Sequence, residues 1–177
     1  MKKILSLAGI ILLGQALSAQ SFFQASLTPD IAIVDRGDQV KGVALNIWGE
    51  NRVNGLNIGF VNGLVGNSSG LTISYLGTYA DDYRGVLWGG LFTRSTGTVV
   101  GWQAAMINVN EQSITGLQSG LVNVANQASG LQLGFVNYAR DLNGVQIGFI
   151  NVIENNEWFT DLPSDLAKGF PFVNWSF

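Results

Sequence analysis

Residues 129–137 read Ser-Gly-Leu-Gln-Leu-Gly-Phe-Val-Asn, and nearly the same nine residues recur at 143–151 as Asn-Gly-Val-Gln-Ile-Gly-Phe-Ile-Asn. Two more close copies begin at Asn54 and Thr115. Weaker copies begin at Gly42, Gly70, Gly85 and Gly101. The leading glycines of the eight copies are 13 to 16 residues apart. A repeat of this period predicts one small structural unit that is stacked many times.

Side-chain character alternates with a period of two within each copy. The first, third and fifth residues after the leading glycine are mostly large and apolar, as in Leu131, Leu133 and Phe135. The second and fourth are polar or small, as in Gln132 and Gly134. A period of two predicts a β-strand, and the Gly-, Asn-, Asp- and Ser-rich residues between copies predict short turns.

Two segments outside the repeats, one before the array and one at Gly169–Phe177, also have the character of strands. Phe22–Val34 precedes the array, and Pro29 within it indicates an edge or a break. The sequence therefore predicts one all-β domain of about ten strands over residues 20–177. Its predicted parts are a repeat array at about 40–153, a polar connector at 154–168 and a terminal strand at 169–177.

Charged side chains are absent from the repeated strands. Only 12% of the 177 residues are charged, and the 48 positions in the first six places after the eight leading glycines include no Asp, Glu, Lys or Arg. A soluble sheet normally carries charge on its solvated face. Both faces of these strands are therefore expected to be sheltered, or to face something other than bulk water.

The composition excludes several functional classes. The chain has no Cys and no His, which rules out a disulfide framework, a thiol nucleophile, a zinc finger and a Ser-His-Asp triad. The net charge is −3, whereas nucleic-acid binding needs a basic surface. No nucleic-acid partner is expected.

The first 19 residues are typical of a secretory signal peptide. Met1–Lys3 is basic, and Ile4–Leu17 is apolar but shorter than the roughly 20 residues that span a bilayer. Small residues follow up to Ala19. We therefore expect the protein to be exported.

Two architectures fit a strand-plus-turn unit of this length. The first and preferred one is an antiparallel meander closed as an outer-membrane β-barrel, with Leu, Ile and Phe facing lipid and Gln, Asn and Gly facing a narrow lumen. Val173, Trp175 and Phe177 favour it, because they resemble the terminal strand of outer-membrane barrels, whose last aromatic residue acts as an assembly signal. The expected partners are then the lipid bilayer and the barrel assembly machinery.

The second architecture is a parallel β-solenoid in which each copy forms one coil and Leu, Ile and Phe fill the interior. The Asn residues that end the copies would stack as an amide ladder. This repeat Asn column is Asn62, Asn108, Asn123, Asn137 and Asn151. The turns look alike throughout the array, which favours the solenoid, because the two ends of a membrane barrel usually differ in loop length.

The unit Gly-[Leu/Val]-[Gln/Asn]-[Leu/Ile]-Gly-[Phe/Leu]-[Val/Ile]-Asn resembles the repeat of bacterial surface repeat-containing proteins of the leptospiral type. The resemblance covers about residues 40–152, and Phe23–Pro29 resembles their entry strand. The copies at Gly70, Gly85 and Gly101 depart from the pattern. The resemblance implies exposure at the cell surface or outer membrane, and it implies neither an activity nor a catalytic residue.

The polar residues of the strands form a candidate amide face. It could line a lumen or bind glycan hydroxyls, but an amide network that satisfies its own hydrogen bonds is the simpler interpretation. The face comprises Asn57, Gln103, Gln118, Gln132 and Gln146.

The acidic residues offer two weaker candidates. One set could supply calcium ligands on turns, and the other could supply paired carboxylates for glycoside chemistry. The calcium set is Asp35, Asp38, Asp81 and Asp82, and the carboxylate set is Glu154, Glu157, Asp161 and Asp165. Solvated turn charge explains both sets, so no metal, cofactor or catalysis is expected.

These patterns together predict a non-catalytic bacterial outer-membrane or surface protein with a structural or surface-interaction role. Two alternatives stay open: a secreted β-solenoid that serves as a binding or adhesive module, and a small pore.

Overall fold

The structure is a computed structural model that describes residues 20–156 and 168–177. The predicted signal peptide and residues 157–167 of the polar connector lie outside the described residues. The described residues form nine strands. They are β1 (Gln20–Thr28), β2 (Ile31–Ala32), β3 (Gln39–Gly89), β4 (Phe92–Ser95), β5 (Thr98–Ala104), β6 (Ile107–Ser119), β7 (Val122–Leu133), β8 (Val136–Ile153) and β9 (Gly169–Ser176).

Neighbouring repeat copies pair as parallel strands, so the array is a β-solenoid. β6 pairs with β7 and β7 with β8, and Gly116, Gly130 and Gly144 stand side by side in this register. Parallel stacking places Gly beside Gly, Gln beside Gln and Asn beside Asn. An antiparallel meander would reverse every second copy and place unlike residues together. The predicted antiparallel barrel is therefore wrong, and the solenoid alternative is confirmed.

Each coil contributes a longer and a shorter strand segment. Ser113–Ser119 pairs with Gln127–Leu133, and Ile107–Asn110 pairs with Val122–Ala125. A shift of register between Asn110 and Ser113 marks one corner of the coil. β3 is 51 residues long because it continues through the corners of several copies, so the predicted strands do not correspond one to one with the observed ones.

A column of glycines sets how closely the coils stack. The eight leading glycines have φ angles between +119° and +152°. A Cβ atom on Gly130 would lie 2.2 Å from the carbonyl oxygen of Gly116, and one on Gly144 would lie 1.9 Å from that of Gly130. An L side chain is excluded both by the backbone conformation and by the contact, which explains why glycine begins each copy.

The lumen is narrow, and buried amide side chains occupy one part of it. Nε2 of Gln118 lies on the longer segment and reaches the carbonyl oxygen of Val124, on the shorter segment, at 3.2 Å. A single Gln side chain thus spans the lumen, and it is the second place of the repeat that faces inward, even where it holds an apolar residue such as Leu87. The solenoid alternative had instead placed the Leu, Ile and Phe side chains of the first, third and fifth places inside. Those side chains point outward, and that part of the prediction is wrong.

A small apolar cluster fills the rest of the interior. Most of its members precede the leading glycine or belong to the shorter segments, for example Val99, Ile114 and Ala125, none more than 3% exposed. Ala44 and Leu87 are exceptions, at the second place of their copies. The lumen is therefore divided into an amide part and a part packed with aliphatic side chains. Most of the cluster side chains are small, in keeping with the width of the coil.

Both ends of the solenoid carry strands that differ from the repeat. β1 pairs in parallel with β3, and β2 folds back antiparallel on β1 after the turn at Pro29, so the predicted break is confirmed. β9 pairs antiparallel with β8, with Gly144 beside Ser176. The terminal strand therefore covers the last coil, and it does not close a barrel.

Candidate functional site: an apolar outer face over an amide core

The predicted amide face lies inside the solenoid and joins successive coils. Nε2 of Gln118 donates to Oε1 of Gln103 at 3.2 Å, that of Gln132 to Gln118 at 2.6 Å, and that of Gln146 to Gln132 at 2.7 Å. These side chains are at most 1% exposed. Asn57 occupies the equivalent place in an earlier coil, where its oxygen accepts from Asn46 at 2.9 Å. This column is a structural ladder that no ligand can reach.

The repeat Asn column forms a second ladder, at the corner of the coil. Asn108 donates to Asn123, Asn123 to Asn137 and Asn137 to Asn151, each at 2.8 Å. The four side chains have no exposed surface. Asn62 is also buried but donates to Ser74 at 2.7 Å, because the next coil departs from the consensus repeat.

The Asn ladder explains the second glycine of the repeat. Nδ2 of Asn123 also donates to the carbonyl oxygen of Leu133 at 2.8 Å, which places the amide beneath the corner at Gly134. A Cβ atom on Gly134 would lie 2.5 Å from that nitrogen. Gly at the fourth place and Asn at the seventh are thus parts of one corner structure.

The three residues of the predicted assembly signal lie on the strand that covers the last coil. Val173 pairs with Ile147 and Trp175 with Val145. Paired residues of antiparallel strands share a face, so Val173 and Trp175 extend the outer surface of the last coil. Phe177 is 89% exposed. Their resemblance to a barrel terminus has no counterpart in this architecture, since no barrel forms.

The turn carboxylates accept hydrogen bonds from neighbouring coils. Asp81 accepts from the backbone nitrogen of Gly66 at 2.8 Å, and Asp82 accepts from that of Thr98 at 2.8 Å. Within residues 20–156 and 168–177, no three His, Cys, Asp or Glu side chains are grouped as a metal site. Of the candidate paired carboxylates, Glu154 accepts from the Tyr138 hydroxyl. Glu157, Asp161 and Asp165 lie outside the described residues.

The barrel hypothesis placed Leu, Ile and Phe on the outside, but it did not predict that they align as a column on a solenoid, at the corner that follows the longer segment. Each coil contributes one large residue to it, and each is 46% to 69% exposed. The column comprises Ile47, Phe60, Tyr75, Leu91, Met106, Leu121, Phe135 and Phe149. A single exposed apolar side chain is common on a protein surface. An aligned row of exposed large apolar side chains, one from every coil, is unusual.

Further outward columns widen this row into a surface, which we call the apolar face. It consists of the corner column, the first and third places after the leading glycine, and the residue that follows the corner. Trp102 at a first place is 42% exposed, Ile58 at a third place is 39% exposed, and Ile107 after the corner is 48% exposed. The rings of Phe135 and Phe149 stack at 5.1 Å with an interplanar angle of 8°, so the face is ordered along the axis.

A polar cluster borders the apolar face near the N-terminal end. The Tyr79 hydroxyl accepts from Nε1 of Trp48 at 3.0 Å and donates to Glu50 at 2.8 Å. Glu50 also pairs with Arg36 at 2.9 Å. Partial burial raises the pKa of Tyr79 to about 12, helped by Glu50 and opposed by the hydrogen bond from Trp48. These groups satisfy one another, and the cluster contains no activated acid, base or nucleophile.

Among the described residues, no helix has the length and apolar character needed to cross a membrane. Comparison of the chain with family models, curated proteins and solved structures gave no match. The functional interpretation therefore depends on the geometry of the solenoid, and above all on its inverted arrangement of amides inside and large apolar side chains outside.

Proposed function

We propose that this chain is an exported, non-catalytic surface-interaction module whose apolar face rests on a lipid bilayer, at the outer membrane or cell surface. The observation that carries the proposal is the registered row of exposed apolar side chains along eight coils. Large contiguous apolar patches on a protein surface are a mark of interaction sites. The resemblance to bacterial surface repeat proteins and the signal-peptide-like first segment support the location.

A solenoid is suited to contact with hydrocarbon along its side. Its ladder hydrogen bonds run between coils, parallel to the axis, so the side of the array presents no row of unpaired backbone groups. An unpaired backbone group in hydrocarbon costs several kcal/mol. Within residues 20–156 and 168–177, a sheet edge is exposed only at the two ends of the solenoid, and we infer that the long axis therefore lies in the plane of the membrane.

The distribution of charge and of aromatic residues supports the same orientation. The columns of the apolar face carry no charged residue, and charges are confined to the remaining parts of each coil. Trp48, Tyr75, Trp88 and Trp102 are exposed on the face. Trp and Tyr prefer the interface between lipid and water because each ring is apolar and carries one polar group.

The two other expectations depended on the barrel. A pore needs an open lumen, whereas the Gln and Asn side chains inside the coil are at most 1% exposed along the two ladders. A role for the barrel assembly machinery also lost its basis with the closed barrel. The secreted binding module shares the observed architecture, and we favour the bilayer as its partner because the binding surface is uncharged.

The test is co-flotation of residues 20–177 with phospholipid vesicles. We expect the unaltered protein to float, and we expect Phe135→Asp and Phe149→Asp to reduce the bound fraction about tenfold or more, because a charge in the apolar region costs up to about 2–4 kcal/mol. The matched controls are Ser129→Asp and Asn143→Asp, which place the same charge at exposed sites in the same two repeat copies, at a place that the apolar face does not include. Circular dichroism checks the fold of each variant.

Two results would overturn the proposal. One is failure of the folded, unaltered protein to float with vesicles. The other is a stable dimer in sedimentation experiments that Phe149→Asp dissociates, because the apolar face would then be the contact between two copies of the chain.

A further inference from the structure

We propose that a groove at the N-terminal end of the apolar face binds a single hydrocarbon chain of an amphiphile, such as the acyl chain of a lipid. The groove lies between the β1–β2 hairpin and the first coils, and its volume is about 780 Å³. This inference deepens the proposed function, and it rests on that function for the bilayer as the source of the lipid.

The β1–β2 hairpin provides one wall of the groove, and the first coils provide its floor. Leu27, Ile31 and Ile33 line the wall. Leu45 and Ile58, both from the third place of their copies, lie on the floor. All five side chains are 39% to 66% exposed. The hairpin thus converts one end of an otherwise open surface into a concave site.

Apart from Tyr75, the lining offers almost no polar side chain to a ligand. No charged residue contributes to it. Its two buried polar side chains, Ser26 and Asn46, use their hydrogen atoms within the fold: Ser26 donates to Asn46 at 2.7 Å, and Asn46 donates to Asn57 and Asn62 at 2.9 Å. Binding in such a site depends on the removal of apolar surface from water, so the occupant is a hydrocarbon whose polar head stays outside.

The shape of the groove favours a linear chain. Its residues come from β1 and from three successive copies, through Leu45, Ile58 and Tyr75. Adjacent strands lie about 4.8 Å apart, so the groove extends roughly 14 Å along the solenoid axis. Its volume falls within the roughly 300–1,000 Å³ of small-molecule sites. The rings of Phe60 and Tyr75, which also line the groove, pack against each other with their centroids 5.4 Å apart.

The groove also continues directly into the apolar face. Ile58 and Phe60 belong both to the groove and to the outward columns of the coils. A lipid in a bilayer that contacts the face could therefore move one chain along the surface and into the groove without crossing a polar barrier.

The experiment is isothermal titration calorimetry of residues 20–177 with octanoate, decanoate, dodecanoate and tetradecanoate, each below its critical micelle concentration. We expect the affinity to rise about fourfold for each added methylene, which corresponds to about 0.8 kcal/mol, until the chain fills the groove. The straight-chain alcohols of the same lengths should bind comparably, because the lining makes no contact with a head group. Absence of a dependence on chain length would overturn the inference.

Two substitutions separate this inference from the proposed function. Ala32→Trp fills the groove and should reduce fatty-acid affinity about tenfold or more, while vesicle binding persists. Phe149→Asp should reduce vesicle binding and leave fatty-acid affinity unchanged. Thr115→Trp, at an exposed site off the face, is the control for the bulky side chain. Ile33→Ser, on the wall of the groove and outside the apolar face, replaces this test in case Ala32→Trp fails to fold.

The pattern of losses then identifies which proposal fails. Equal fatty-acid binding by folded Ala32→Trp and by the unaltered protein would overturn the groove alone. Fatty-acid binding without any vesicle binding would overturn the bilayer proposal and leave the groove in place.

Discussion

The side-chain amide of Asn123 donates a hydrogen bond to Oδ1 of Asn137, one coil further along the solenoid, at 2.8 Å. The Gln ladder runs in the opposite sense, since Gln132 donates back to Gln118 at 2.6 Å. Within each ladder, aligned amides polarise one another and strengthen the bonds. Because the two ladders point in opposite directions, their dipoles oppose each other in the narrow lumen.

Replacing one member of the Asn ladder should destabilise the protein. Asn123→Ala removes the hydrogen bonds that this side chain makes with Asn108, with Asn137 and with the carbonyl oxygen of Leu133. The Leu133 carbonyl keeps the bond from the backbone nitrogen of Gly120, so the buried Oδ1 of Asn137 is the group that loses its donor. We expect a loss of about 1–3 kcal/mol in the free energy of unfolding, measured by urea denaturation. Asn143→Ala, at an exposed site, should cost less than about 0.5 kcal/mol. Equal losses in the two variants would show that the ladder contributes nothing.

The stacking of the leading glycines gives a second test. Gly130→Ala would place Cβ 2.2 Å from a carbonyl oxygen, at a φ of +125°, so we expect severe destabilisation or failure to fold. Gly37 has a left-handed φ of +83°, but a Cβ atom added there would have no other atom within 4 Å. Gly37→Ala should therefore lower the free energy of unfolding by about 1 kcal/mol, from backbone strain alone. Gly169→Ala has neither a left-handed φ nor a close contact, and should be nearly neutral. Thermal unfolding should rank the three variants in this order, and a tolerant Gly130→Ala would contradict the stacking.

The sequence alone established the strands, the repeat unit and the absence of charge, but not the side of the sheet that faces inward. The alternation of Leu131 and Gln132 determines which residues share a face, and it is the same whether that face is inside or outside. The decision depends on the width of the coil, because one Gln spans the lumen. The barrel hypothesis was correct that the amides lie inside, but it assumed an antiparallel barrel, which does not form.

The C-terminal residues show a different limit of the sequence. Phe177 at the end of an alternating strand is typical of barrels, but the same pattern also suits a strand that covers the last coil. The outcome depends on strand direction, which local patterning does not encode. The spacing of Gly134 and Asn137 was the more informative signal, because a Gly three residues before a buried Asn is what the solenoid corner requires.

One buried amide should be dispensable. Asn110 is 1% exposed, and within the described part of the chain neither its nitrogen nor its oxygen has a hydrogen-bond partner. The residue beside it in the next coil is Ala125. Since an unpaired buried amide costs about 1–3 kcal/mol, we expect Asn110→Ala to raise the free energy of unfolding by about 1 kcal/mol. The same substitution at Asn123 should lower it, and a loss at both sites would show that Asn110 is satisfied in solution.

The buried Tyr83 should make the protein lose stability at alkaline pH. Its side chain is 3% exposed, and burial raises its pKa to about 12, partly offset by the hydrogen bond with Thr72. The pKa of an unfolded Tyr is about 10, so the folded state holds this proton more tightly. The contribution is complete below about pH 10 and is lost as the pH rises towards 12, by up to about 2 kcal/mol. Urea denaturation between these pH values should show this loss of unfolding free energy in the unaltered protein. The loss should be the same in Tyr75→Phe, which changes an exposed tyrosine, and smaller in Tyr83→Phe. Identical pH profiles for all three proteins would show that Tyr83 ionises as freely in the folded as in the unfolded chain.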